Sequence, residues 1–318
     1  MDRRRALSAL ALAALPASAK AQGKVRRVGF ISFAAAPPFY NAFRAGMADL
    51  GYVEGKNVIY HARFGGGQRL EDIAAALVNE RPELIVAAGG PAVMAVRKVS
   101  ATVPMVFSFS GDPVVAGIAK SLAQPGNNAT GMSLLSLDLV GKRMELLKEA
   151  MPHLKSVAIL ANPDHPGEQL ERKAALASAN ALGLHSIYFQ AQSPAELDAA
   201  LAKVATANVE GLVVFPDALT ITSRQRIAEA ALQARLAAVS GWGEFVDAGF
   251  LMSYGPNLQA SYRRLGTFVD KVLKGANPGT LPIELPSVIE LVVNTRTAQA
   301  LKHEMPRAIV LRADRVVQ

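Results

Sequence analysis

The sequence predicts an α/β protein of two doubly wound parallel-sheet lobes joined by a multi-strand hinge, and three observations carry that reading. β-rich apolar runs alternate with runs of helical period along almost the whole chain, the pattern of parallel sheets covered by helices on both faces. The alternation forms two series, separated by a turn-rich stretch over 111–131 that contains Asp112-Pro113 and QPGNN at 124–128. The length, 318 residues, suits two domains that each bury a core of their own.

The first series begins after an export signal. Arg3, Arg4 and Arg5 form a basic n-region, 6–15 a largely apolar h-region, and Pro16 precedes small residues. Ala19 and Ala21 stand at the positions a signal peptidase reads, which puts the mature start at Gln22; 17–19 offers a second site. The h-region is well short of the roughly 20 residues that span a bilayer, so 1–21 is expected to be cleaved rather than kept as an anchor. Strands are then predicted over 25–33, 57–64, 83–88 and 104–109, with helices over 38–50, 69–80 and 91–99. Phe39, Phe43, Met47 and Leu50 mark the buried stripe of the first helix.

The second series places helices at 137–150, 167–182, 194–207 and 222–235, and strands at 156–161, 185–190, 211–215 and 237–240. Residues 250–254 are expected to lead back to the first half, where 259–273 adds a helix. The extended segment 282–286 crosses again, and strand 288–294 with helix 295–302 completes the second half. The lobes are accordingly set at 22–132 plus 254–281 and 133–253 plus 282–318. Several crossings make a hinge rather than two beads on a string.

Composition narrows the function. The absence of cysteine removes disulfides, thiolate nucleophiles and cysteine-held metals. The formal charge of +8 is partly the signal's own, and the remaining basic residues are scattered without an aromatic-basic stripe, so no nucleic-acid partner is expected. No Gly-x-Ser-x-Gly elbow, Walker A sequence or dinucleotide fingerprint follows a predicted strand. The five histidines share no metal-ligand spacing, and no metal or cofactor is expected. The chain is not read as an enzyme.

In open parallel sheets ligands bind beyond the carboxyl ends of the strands, which singles out particular residues. In the first lobe these are Ser32, Gly89, Gly90, Ser110 and Asp112. In the second they are Asn162, Asp217 and Trp242, with Tyr254 near the crossing. Gly89-Gly90 could present backbone N–H groups to an anion or simply make a tight turn. Asp112 and Asp217 could receive a ligand donor or cap the helices that follow them. Trp242, the single tryptophan, could stack on a ligand or seal the core.

With these residues laid out, the chain resembles the ABC-transporter substrate-binding family that includes the tryptophan-type binding proteins with a type I periplasmic fold. The resemblance runs over nearly everything after the signal. It rests on VGFI at 28–31, FRAGMADLGYVEGKN at 43–57, PMVF at 104–107 with GDP at 111–113, PGNNATG at 125–131, KRMELL at 142–147, ANP at 161–163, GFLMSYG at 249–255 and RAD at 312–314. It implies a monomeric periplasmic receptor that traps a small solute, an amino acid or aromatic compound, between its lobes and delivers it to a membrane permease. By position, Ser32, Gly90, Ser110 and Asp112 line one wall, and Asn162, Asp217, Trp242 and Tyr254 the other wall or hinge. A periplasmic sensor and an exported α/β enzyme are the competing readings.

Overall fold

The computed structural model describes residues 25–33, 37–65, 69–134 and 137–318. The signal segment therefore lies outside the described residues.

The first sheet is built from β1 (Arg26–Ser32), β2 (Val58–Phe64), β3 (Leu84–Ala88), β4 (Met105–Phe109) and β5 (Ala129–Ser133). Its order is β2-β1-β3-β4-β5, every pair parallel. The connecting helices are α1 (Pro37–Asp49), α2 (Leu70–Asn79) and α3 (Gly90–Val99). β3 and β4 are buried at every position, as central parallel strands must be, and Ser108 is the single polar residue in their apolar runs. β2 stands at the edge and shows it, with only Val58 buried. One face of the sheet puts Phe30 and Val86 against Phe43 and Met47 of α1, and the other puts Ile31, Ile85 and Phe107 against α2 and α3. Burying each such side chain contributes roughly 1.5–3 kcal/mol.

The second lobe begins with α4 (Asp138–Ala150). It continues through β6 (Ser156–Ala161), α5 (Glu168–Ala181), β7 (His185–Gln190), α6 (Pro194–Thr206), β8 (Gly211–Val214), α7 (Ala218–Thr222), α8 (Arg224–Gln233), β9 (Ala237–Ser240), α9 (Gly243–Asp247) and β10 (Met252–Pro256). After α10 (Leu258–Leu273) come β11 (Ile289–Asn294), α11 (Thr295–Ala300), α12 (Arg307–Arg312) and β12 (Arg315–Val317). The sheet order is β12-β11-β10-β9-β8-β6-β7.

Three details differ from the sequence reading. The segment around Tyr254 does not pass straight back to the first lobe: it forms β10, parallel to β9 in the second sheet. β11 is antiparallel to β10, because the chain re-enters the sheet at the end from which it left. The turn-rich stretch before the first crossing ends in β5. Gly131 hides that strand from pattern reading, but it is required there, since a Cβ would come 2.1 Å from the Phe107 carbonyl.

Three passages join the lobes: from β5 to α4, from β10 to α10, and from α10 back to β11. On the last passage Glu284 pairs with Met132 as an isolated bridge, and its backbone N–H donates to the Gly131 carbonyl at 3.0 Å. α10 lies on α1 in the first lobe. Gly46 and Gly266 let the two backbones meet, for a Cβ at Gly46 would come 2.0 Å from the Arg263 carbonyl oxygen.

Candidate functional site

Strand ends of both sheets and two helices of the first lobe enclose a cavity of about 380 Å³ between the lobes, within the range of small-molecule sites, roughly 300–1,000 Å³. Ser32, Gly89, Gly90, Ser108 and Ser110 line it from the first sheet, and Phe39, Leu258 and Tyr262 from α1 and α10. Asp217, Ile221, Arg224, Trp242, Glu244 and Asp247 face them from the second lobe.

The first-lobe wall is small and close to the backbone. Gly89 has φ 89°, a left-handed conformation, and a Cβ there would come 2.4 Å from the Phe33 ring. Its N–H is already spent on the Ser108 carbonyl at 2.8 Å. Phe39 and Tyr262 stack with centroids 4.9 Å apart and planes 12° from parallel, a ring pair that gives this wall its apolar part. Burial pushes the Tyr262 hydroxyl up to about 12, and the Ser108 hydroxyl beside it acts in the opposite direction.

The second-lobe wall carries the charge. Asp217 is buried and ends β8 as the cap of α7. Its Oδ1 accepts from the Thr220 N–H at 2.7 Å, its N–H donates to Thr220 Oγ1 at 2.9 Å, and its Oδ2 accepts from Asn162 Nδ2 at 2.8 Å. Trp242, 5 % exposed, packs on Phe245 while its edge reaches the cavity. Glu244 follows two residues on, and burial pushes its carboxyl up to about 7, with Glu290 and Asp247 adding repulsion that Arg315 only partly offsets. Arg315 is engaged elsewhere, donating to Asp247 at 2.5 and 3.2 Å. Among the described residues, three side chains that line this cavity carry a buried polar atom without a hydrogen-bond partner: Ser108 Oγ, Trp242 Nε1 and Glu244 Oε2. Unpaired buried groups of this kind cost free energy and call for an explanation.

Beneath the second-lobe wall lies a buried ion pair. Arg143 Nη1 is 3.3 Å from Glu171 Oε1, and Arg143 Nε donates to the Tyr254 carbonyl at 2.8 Å. Its guanidinium fills the space under Gly241 and Gly255. Where the lobes touch beside the cavity, Ser110 Oγ and His165 Nε2 are hydrogen-bonded at 2.9 Å, and the Asp112 N–H donates to the Pro166 carbonyl at 3.0 Å. Burial holds the His165 imidazole below its usual range.

Of the residues singled out from the sequence, Ser32, Gly89, Gly90, Ser110, Asp217 and Trp242 line the cavity. Three do not. Asp112 Oδ1 accepts from the N–H groups of Val114 and Val115, making the local turn. Asn162 is spent on Asp217 and on the Asp164 N–H. The Tyr254 side chain packs against the core of the second lobe. Sequence reasoning did not select Ser108, Phe39, Tyr262, Glu244 or Arg224. Ser108 and Glu244 follow strand ends and were open to the same rule, whereas Phe39 and Tyr262 come from helices whose exposed and cleft-facing sides look alike in the sequence. Among the described residues no cluster of three or more metal-ligating side chains occurs, and no helix is long and apolar enough to cross a membrane.

Comparison with known proteins bears on this geometry. A structure of a conserved domain protein from Vibrio cholerae superposes with a TM-score of 0.84 at 27% identity, covering 92% of this chain and 100% of that one. A Streptococcus pneumoniae ABC domain in complex with L-Trp gives 0.85 at 22% identity with the same coverage, and a ligand-free, open substrate binding protein from Clostridium difficile gives 0.69 at 22%. A curated relative, the tyrosine-binding protein of Clostridioides difficile (strain R20291), is 24% identical over 264 residues, 81% of this chain and 75% of that one. The family described as ABC transporter substrate binding protein matches residues 24–317, nearly the whole described fold, and the chain belongs to that family.

Proposed function

We propose that this protein is the extracytoplasmic receptor of an uptake system, that it binds an amino acid with an aromatic side chain between its lobes, and that it passes this solute unaltered to a membrane permease. The observation that carries the reading is the cavity itself, which joins stacked rings on one wall to buried, unpartnered polar atoms distributed over both. An aromatic ring fits the apolar part and a zwitterionic head the polar part. The relatives described as binding tyrosine and holding L-Trp support the same class. Residues 1–21 act as the export signal and mature protein starts at Gln22. The receptor works as a monomer, a reading supported by both walls coming from a single chain.

The test is calorimetric titration of residues 22–318 with the twenty amino acids, with size-exclusion chromatography alongside. Saturable binding of tryptophan, tyrosine or phenylalanine by a monomer, with the solute recovered unchanged, is the expected result. A ligand at a hundred times its Kd adds about 2.7 kcal/mol of stability, so a thermal scan reads the same event. Binding confined to sugars or non-aromatic acids overturns the reading.

A further inference from the structure

Two carboxylates that follow neighbouring strands face the cavity, and only one of them is free to meet a ligand. Both oxygens of Asp217 already accept internal hydrogen bonds, from the Thr220 N–H and from Asn162. Glu244 lines the same space, and its buried Oε2 has no partner among the described residues. Nor does a neighbouring cation neutralise it. Arg315 is held by Asp247, and Arg224, which also lines this cavity, spends one N–H on the Ile221 carbonyl and is not among the charges that act on Glu244.

Glu244, Asp247 and Glu290 against Arg315 leave this corner of the cavity with an excess of negative charge. On the first lobe, the buried Ser108 hydroxyl lies beside the Tyr262 hydroxyl with no directed partner, and on the second lobe Trp242 Nε1–H has no acceptor among the described residues. An indole N–H can only donate, a carboxylate accepts, and a hydroxyl does either. The missing partner must therefore bring a hydrogen-bond donor and an acceptor together, and an α-amino acid carries both on one carbon.

We propose that Glu244, and not Asp217, receives the ligand's ammonium group, while Trp242 Nε1–H and the Ser108 hydroxyl take the carboxylate, so that the polar head of the ligand joins the two lobes. Glu244 is then the residue that selects amino acids over aromatic acids of the same shape. This assignment rests on the aromatic amino-acid reading given above.

The experiment compares wild type, Glu244→Gln and Asp217→Asn by calorimetry against L-tryptophan, L-tyrosine, indole-3-propionate, which lacks the amine, and tryptamine, which lacks the carboxylate. Wild type is expected to bind whichever amino acid is its ligand at least tenfold more tightly than the ring analogue missing either group. Glu244→Gln weakens amino-acid binding by roughly tenfold to a hundredfold, the loss expected for a charge-assisted hydrogen bond, and leaves indole-3-propionate binding as it was. A merely structural role would weaken both ligands together. Asp217→Asn keeps the preference for the amine even where it lowers the melting temperature. Glu244→Gln protein that retains the full preference, or Asp217→Asn protein that loses it, overturns the assignment and leaves the proposed function standing. Wild-type protein that binds no aromatic amino acid overturns the function, and the assignment with it. Melting curves of both variants confirm that folded protein is being compared.

Discussion

The turn after β8 and the turn after β9 lie side by side in the second sheet, and each delivers a carboxylate to the cavity. In the first, Asp217 is closed on itself by a reciprocal cap with Thr220 and by Asn162. In the second, Glu244 is drawn out of water with one oxygen left empty. The first turn is finished when the protein folds, and the second is completed by what it binds. Position at a strand end is therefore not enough to assign a binding role. The deciding observation is whether the group's hydrogen bonds are already made.

Substitutions can break this contrast, beginning with the foundation the two turns share. Arg143 lies below Gly241 and holds the Tyr254 carbonyl. Arg143→Met strands Glu171 in the interior and is expected to destabilise the protein by about 3–5 kcal/mol in urea unfolding at pH 8. Burial already pushes Glu171 up to about 7 with the arginine present. The unpaired acid is therefore neutralised as pH falls, and the deficit should shrink at pH 5. Asp217→Ala removes a cap and leaves Asn162 without its acceptor, a loss of about 1–2 kcal/mol seen as a lower denaturation midpoint.

The Glu244 turn should respond to pH through binding. Burial raises its carboxyl to about 7, with Glu290, Asp247 and Arg315 around it and Tyr262 across the cleft. A ligand ammonium favours the ionised form, so below that point binding must expel a proton. Affinity for an amino acid should fall by up to tenfold per pH unit, about 1.4 kcal/mol, as pH drops below about 7. It should be flat in Glu244→Gln. The smallest change is expected from Tyr262→Phe, which keeps the ring stacked on Phe39 and removes only the hydroxyl beside Ser108, within about 0.5 kcal/mol by thermal melting.

Both doubly wound series could be read from the sequence because central parallel strands such as β3, β4 and β6 are dominated by apolar residues and alternate with amphipathic helices. The elements that escaped are those whose form depends on distant neighbours. β5 carries a glycine demanded by the β4 backbone, and α9 and β12 are too short to show a period. The site was legible to the same depth. Strand-end reasoning selected six residues that line the cavity, because topology alone brings them there. It gave no means of ranking Asp217 against Glu244, since the asparagine that satisfies Asp217 lies 55 residues away in the chain. Nor could it show that Phe39 and Tyr262, more than two hundred residues apart, would face one another.

The backbone-to-backbone meeting of α1 and α10 at Gly46 and Gly266 bears on how the protein is made. Residues 258–273, which cover Phe43 and Met47 in the first lobe, leave the ribosome only after β6 to β10 have been synthesised. The lobe that starts first therefore cannot be sealed first, and its apolar face stays uncovered while most of its neighbour is translated. The last large helix, rather than the first strands, decides when the N-terminal lobe becomes stable.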